Sequence, residues 1–151
     1  MKLSMILSQL STGMAGRISI FVLTLVFSLP LGLLIAFGRM SKNRIVSGIF
    51  RLYISLMRGT PLMLQLMVVY FGPFYLFGMN IGKWRFPAII TGFALNYGAY
   101  FAEIYRSGIV SMDRGQYEAA KLLGYSKGQT FVRIILPQVV KRILPAITNE
   151  V

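Results

Sequence analysis

The chain has 151 residues, of which 56% are hydrophobic and 13% charged, and it contains neither Cys nor His. Too few polar side chains are available to cover a water-soluble domain of this size, so the composition indicates a membrane protein. The missing residue types exclude disulfides, zinc ribbons and His-dependent nucleophiles, and the spacing of the four carboxylates does not suggest paired-acid hydrolysis, so we expect no enzyme active site, metal or cofactor.

A net charge of +12 would favour nucleic-acid binding in a soluble protein, yet the basic residues lie between long apolar runs. That arrangement is typical of membrane proteins, so nucleic acid is not an expected partner. Three runs can cross about 30 Å of hydrocarbon as helices: residues 18–38, 62–80 and 86–106. The sequence thus predicts an all-α fold, a polytopic membrane helical bundle.

The first apolar run could be mistaken for a secretory signal because it lies near the amino terminus. A signal has a short apolar core and a small-residue cleavage site, whereas this run is full length and is followed by basic residues from Arg39 onward. We therefore expect a retained span, preceded by an extracytoplasmic segment of residues 1–16.

Basic residues are unevenly distributed around the three spans. Five lie in the loop from Arg39 to Arg58 and seven from Arg106 to the end, which predicts that both segments are cytoplasmic and the amino terminus is outside. Within the loop, residues 42–57 mix basic and apolar side chains. This segment fits either an interfacial amphipathic helix or a cytoplasmic extension of the second span.

The third span has small and polar residues on one helical face, within an arc of about 80°. They are Ala88, Gly92, Asn96, Ala99 and Glu103. This face should turn toward other helices, and Arg106 can pair with Glu103. Helix packing alone would explain the face, and a polar substrate path would explain it equally well. Our candidates for lining such a path are Thr60, Gln65, Asn96 and Glu103.

After Met112 the pattern changes to helix, break, helix. Asp113 marks a helix start, and Gly124 can end that helix in a left-handed conformation. Ser126 and Gln129 fit a capping box for a second, strongly apolar helix, which Pro137 is expected to stop.

This hairpin carries a resemblance to a known family. Residues 113–137 resemble the EAA loop of membrane subunits of bacterial ABC importers, matching it at Glu118, Ala119, Ala120, Gly124, Ile134, Leu136 and Pro137. Upstream, Arg58 to Leu62 and Tyr100 to Ile109 resemble the polar amino-acid branch of that family.

The resemblance implies the type I ABC importer transmembrane fold over residues 17–151, with an expected truncation because such proteins usually continue through two more spans. It implies a permease subunit in the bacterial cytoplasmic membrane whose EAA loop is an ATPase-coupling helix. Small Ala119 and Ala120 would allow close docking, and Glu118 would accept a hydrogen bond. The implied partners are a cytoplasmic ATPase dimer, a second permease subunit of the same or a related kind, an extracytoplasmic amino-acid-binding protein and membrane lipid.

ATP hydrolysis is expected in a separate subunit, because the chain has no phosphate-binding GxxxxGK[ST] loop. The alternative interpretation is a non-transporting membrane protein whose basic hairpin binds anionic lipid or a soluble partner.

Overall fold

Residues 2–150, the part of the chain that the computed structural model describes, form α-helices and one π-helical turn, with no strand among them. In chain order these are α1 (Leu3–Arg39), α2 (Arg44–Gly59), α3 (Leu62–Phe77), α4 (Ile81–Val110), α5 (Arg114–Leu122), α6 (Lys127–Thr130), the π-turn (Phe131–Ile135) and α7 (Leu136–Glu150). The fold is a transmembrane helical bundle in which α1, α2, α3 and α7 all pack against α4.

Helix α1 begins at Leu3, well before the predicted start of the first span, and continues through Pro30. Its 37 residues give a length of about 55 Å, which exceeds the hydrocarbon thickness of a bilayer. Its buried positions recur every three or four residues, so one face lies on α4. At Gly32 the helices are so close that a Cβ would lie 2.8 Å from the Cβ of Phe101.

The second predicted span, residues 62–80, corresponds to α3, and α2 precedes it in a different direction. Helices α2 and α3 meet at a 112° bend across Thr60 and Pro61, so α2 is not a straight extension of α3. Asn43 starts α2 by accepting a hydrogen bond from the backbone N–H of Ile45. The inward face of α2 then packs on α1 and α4 through Phe50, Tyr53, Ile54 and Met57.

Pro73 lies inside α3 and cannot donate a backbone hydrogen bond to the carbonyl of Val69. The indole Nε1 of Trp84, in the first turn of α4, donates to that carbonyl at 2.9 Å. The replacement partner explains why α3 continues past Pro73 to Phe77, where Gly78 ends it with φ of +65°.

Length and apolar composition identify α1 as a helix able to cross a membrane, and the bent pair of α2 and α3 also qualifies when taken as one span. With 30 residues α4 is long enough, but it falls short in apolar composition because of the small and polar residues of its inner face. Most of that face is buried as predicted: Ala88, Gly92, Asn96 and Ala99 are buried in the bundle, whereas Glu103 is half-buried.

The helix after the hairpin differs from the prediction, because Pro137 does not stop it. In the π-turn, the backbone N–H of Leu136 donates to the carbonyl of Phe131, five residues back. The widened turn shifts the hydrogen-bond register just before Pro137, so the missing N–H is accommodated and α7 continues to Glu150.

Candidate functional site

Three of the four predicted path residues form one hydrogen-bonded group at the break between α2 and α3. We call Thr60, Gln65 and Asn96 the polar cluster. The Gln65 side-chain Nε2 donates to Thr60 Oγ1 at 2.6 Å and to the carbonyl of Met57 at 3.0 Å. The Asn96 side-chain Nδ2 donates to Gln65 Oε1 at 2.9 Å and to the same Met57 carbonyl at 3.3 Å.

The polar cluster has a structural task of its own. A helix break leaves backbone carbonyls without their helical partners, and inside a membrane these must be satisfied by other groups. Gln65 and Asn96 supply donors to the end of α2, and Asn96 is only 5% exposed. The sequence identified the residues, but it did not show that they bond to each other and to the broken backbone.

Glu103 lies apart from the polar cluster, seven residues or about 10 Å further along α4 than Asn96. Its carboxylate forms the predicted ion pair with Arg106 at 2.9 Å. The pair borders an open cavity of about 550 Å³ between α1, α2 and α4. We call this space the arginine cavity, because its walls carry Arg39, Arg51, Arg58 and Arg106 together with Glu103.

The predicted hairpin is present, and its caps are those expected from the sequence. Asp113 accepts a hydrogen bond from the Gly115 N–H, and Ser126 and Gln129 form a capping box at α6. Between the helices Gly124 has φ of +84°, a conformation that favours glycine. The N–H groups of Gly124 and Tyr125 donate to the carbonyls of Lys121 and Ala120, which is a Schellman motif.

The two alanines of the EAA motif face different ways. Ala119 and Glu118 are exposed, but Ala120 is 1% exposed and packs inside the chain. At 100° per residue Ala120 lies opposite Glu118 on α5, so the two residues face different surroundings, and the docking role of Ala120 stays a prediction.

Sequence reasoning missed the most prominent apolar residues of the hairpin. Leu122 is 89% exposed and Leu123 is 76% exposed, directly before Gly124. Leu122 lies one turn beyond Glu118 on the outward face of α5. Two adjacent leucines at the end of a short polar helix are the sequence signal that could have indicated an exposed apolar contact surface.

Side-chain hydrogen bonds and an apolar cluster connect the hairpin region to the rest of the bundle. The side chains of Gln116 on α5 and Gln138 on α7 each donate an amide hydrogen bond to the other. An apolar cluster joins α4, the turn after it, the π-turn and α7, and consists of Ile109, Met112, Ile135, Val139 and Ile143. Of the remaining EAA positions, Ile134 and Leu136 are half-buried and Pro137 is exposed.

Comparison with known proteins places the chain in a family. The model of the binding-protein-dependent transport system inner membrane component matches residues 28–151. The putative glutamine transport system permease protein GlnP of Rickettsia bellii (strain RML369-C) is 42% identical, covering 85% of this chain and 58% of that protein. The arginine transport system permease protein ArtQ of Bacillus subtilis (strain 168) is also 42% identical, covering 91% and 62%.

A solved structure supports the same relationship. The crystal structure of an amino acid ABC transporter with histidines matches 99% of this chain and 70% of its own, with 35% identity and a TM-score of 0.79. The chain spans about three fifths of the length of the two curated relatives named above. These matches confirm the resemblance found at the EAA loop: the chain belongs to the family of binding-protein-dependent transport system inner membrane components.

Proposed function

We propose that the chain is a membrane-spanning permease subunit of an ATP-driven importer for polar amino acids. The names of the relatives, permeases for glutamine and arginine, support this class of solute. We call α5, its Gly124 turn and α6 the coupling hairpin. The mechanism rests on one observation: this hairpin exposes an apolar side chain, Leu122, beside the carboxylate of Glu118.

The coupling hairpin seats in a cytoplasmic ATPase subunit through the outward face of α5. Burying a leucine side chain stabilises a complex by roughly 1.5–3 kcal/mol, and Leu122 offers almost its whole side chain for this. Glu118 and Ala119 flank it, the first as a hydrogen-bond acceptor and the second as a small residue that allows close approach. Gly124, Ile134, Leu136 and Pro137 hold the shape of the hairpin and its junction with α7.

Movement of the coupling hairpin reaches the spans through α7. The Gln116 and Gln138 side chains couple α5 to α7, and the Arg142 guanidinium donates to the Ser111 carbonyl at 3.0 Å, at the end of α4. Closure of an ATPase dimer thus displaces α4 and the path-lining residues with it. Orientation follows the charge distribution, with the hairpin cytoplasmic and the amino terminus outside.

The remaining partners complete the transport cycle. An extracytoplasmic binding protein delivers the amino acid, and a second permease subunit forms the other half of the path. Thr60, Gln65, Asn96 and Glu103 line this chain's half. A discontinuous helix beside such residues is the arrangement that transporters use near their solute sites, and the break between α2 and α3 supplies it.

Substitution of Leu122, the exposed apolar residue of α5, tests the proposal. Leu122→Ser in the full-length protein should weaken association with the ATPase subunit by roughly ten- to hundredfold, the equivalent of burying one leucine. Lys121→Ser is the matched control, since Lys121 is exposed and lies beside the proposed contact. Co-purification and solute-stimulated ATP hydrolysis in proteoliposomes report the effect. Equal association of both variants and the parent protein would refute the role of α5.

A further inference from the structure

Helix α2 and the arginine cavity beside it carry positive charge that exceeds the one ion pair, Glu103 with Arg106, formed within residues 2–150. We propose that together they bind the headgroup and upper acyl chain of an anionic phospholipid. The inference goes beyond the transport function and does not depend on it, because it rests on α2, the end of α1 and the second half of α4 and not on the coupling hairpin.

The arginine cavity has a strong excess of positive charge. Four arginines face one carboxylate, and within residues 2–150 the ion pair of Glu103 with Arg106 is the only one formed. The other three guanidinium groups have no carboxylate partner in that part of the chain. Guanidinium groups donate pairs of parallel hydrogen bonds that match the oxygens of a phosphate. The arginines of the cavity can therefore bind a phosphate monoanion or a phosphodiester.

Two of these arginines are held in place by neutral contacts. The Arg58 guanidinium carbon lies 5.4 Å from the ring centroid of Tyr100, over its face. The Arg39 Nη1 donates to Ser47 Oγ at 3.3 Å, and Ser47 Oγ donates to the Arg39 carbonyl at 2.8 Å. These contacts fix the side chains without removing their charge, so the cavity is organised for an anion before one binds.

A second basic space adjoins the first across Arg51. An open cavity of about 330 Å³ there is lined by Lys42, Arg44 and Arg51 with three small residues. The anion-binding surface therefore extends along α2 from its amino-terminal end to the Gly59 break.

Helix α2 also exposes a continuous apolar stripe. Ile45, Ile49, Leu52 and Leu56 follow each other at intervals of four, three and four residues, and each is more than half exposed. At 100° per residue they lie within about 60° of one another. Arg44, Arg51 and Arg58, spaced seven apart, lie about 130° away around the same helix.

The arginines together with the apolar stripe favour a phospholipid over a soluble anion as the ligand. A free phosphate or carboxylate would use the arginines and leave the apolar stripe in water. A phospholipid uses both, since its acyl chain covers the stripe while its phosphate reaches the guanidinium groups. The 112° bend carries α2 away from the direction of α3, and Arg39 is the last residue of α1, the helix able to cross a membrane. Basic residues at the end of a membrane-spanning helix are favoured near lipid headgroups. Net positive charge in the site requires an anionic headgroup such as phosphatidylglycerol.

Native mass spectrometry of the full chain in detergent tests the proposal, with short-chain phosphatidylglycerol as the probe and short-chain phosphatidylcholine as its neutral match. We expect the phosphatidylglycerol to bind at least tenfold more tightly. Arg51→Gln and Arg58→Gln should each weaken it about fivefold, since one arginine near a membrane surface contributes about that factor. Arg133→Gln is the control, because Arg133 is exposed and lies outside the cavity. Equal binding of both lipids, or no effect of the cavity variants, would overturn the proposal.

Competition distinguishes the lipid from soluble anions. Inorganic phosphate or a free amino acid should not displace phosphatidylglycerol at concentrations where the lipid itself saturates the site. Displacement by either at comparable concentrations would identify a soluble ligand and overturn the lipid assignment.

The double variant Ile49→Ser with Leu52→Ser should weaken lipid binding while leaving the arginines in place, and unchanged binding would contradict the role of the apolar stripe. Arg51→Lys, which keeps the charge, should bind more tightly than Arg51→Gln, and an equal loss in both would contradict the electrostatic account.

Discussion

Gln116 of α5 and Gln138 of α7 donate one amide hydrogen bond each to the other across 22 residues of sequence. The Gln138 Nε2 group also donates to the carbonyl of Ile134 at 3.0 Å, so the pair fixes both the hairpin and the π-turn. The hairpin that carries the exposed leucines is thus attached to α7 by complementary side chains, in addition to its chain connections to α4 and to the π-turn.

Removing one of the two glutamine side chains should destabilise the protein. Gln138→Leu leaves the half-buried Gln116 amide without its partner, and the free energy of unfolding should fall by about 1–3 kcal/mol. The double variant Gln116→Leu with Gln138→Leu removes both amides, so its loss should be smaller than the sum of the single losses. Thermal unfolding of the full-length protein in detergent measures all three. Strict additivity would show that the two side chains do not interact.

The indole of Trp84 should matter because Pro73 lacks an N–H group. Trp84→Phe removes the donor to the Val69 carbonyl and should destabilise the bundle by about 1 kcal/mol. In a Pro73→Ala background the restored N–H can serve that carbonyl, so the same change should cost less. Because Trp84 is the only tryptophan, unfolding must be followed by circular dichroism and not by tryptophan fluorescence. An equal cost in both backgrounds would contradict the assignment.

Close helix contact at Gly108 should make that position intolerant of a side chain. A Cβ there would overlap Cγ2 of Ile143 on α7, so Gly108→Ala should destabilise by about 1–3 kcal/mol. Gly48→Ala is the matched control, because a Cβ at Gly48 meets nothing within 4 Å and the change should stabilise α2 by about 0.5–1 kcal/mol. Similar effects at both glycines, measured by thermal unfolding, would argue against tight packing of α4 on α7.

The polar cluster allows the structural and transport roles of Asn96 to be separated. Asn96→Leu removes the donor to Gln65 Oε1, and we expect a loss of about 1–2 kcal/mol in unfolding free energy. If Asn96 also lines the path, the Michaelis constant for amino-acid uptake should change by more than the loss of folded protein explains. Thr91→Val is the control, since Thr91 on the same helix is exposed and its hydroxyl bonds only within α4. Unchanged uptake kinetics of Asn96→Leu in correctly folded protein would remove it from the path.

Local signals in the sequence predicted the hairpin well. The helix caps and the turn depend only on neighbouring residues: Asp113 caps α5, Ser126 and Gln129 cap α6, and Gly124 forms the turn between them. Their roles therefore follow from local backbone geometry. The buried face of α4 was predictable for the same reason, because helical periodicity places Ala88, Asn96 and Ala99 together.

Features that depend on distant partners could not be predicted. Pro137 was expected to stop a helix, and only the π-turn before it explains why α7 continues. The bonding of Gln116 with Gln138 requires knowledge of how α7 returns along α4. The residues of the polar cluster were predicted one by one. Their bonds to the Met57 carbonyl depend on the bend between α2 and α3, which the sequence left open between an interfacial helix and an extension of the second span.

Site-specific labelling at Leu122 tests the central claim, that the outward face of α5 docks on an ATPase subunit at the inner side of the membrane. The chain has no native cysteine, so Leu122→Cys introduces a single reactive thiol into the chain. We predict that a membrane-impermeant maleimide labels this thiol only after the cells are opened, and that a bifunctional crosslinker then joins it to the ATPase subunit. Labelling of intact cells from outside, or an opened membrane in which no crosslink to the ATPase forms, would contradict the account.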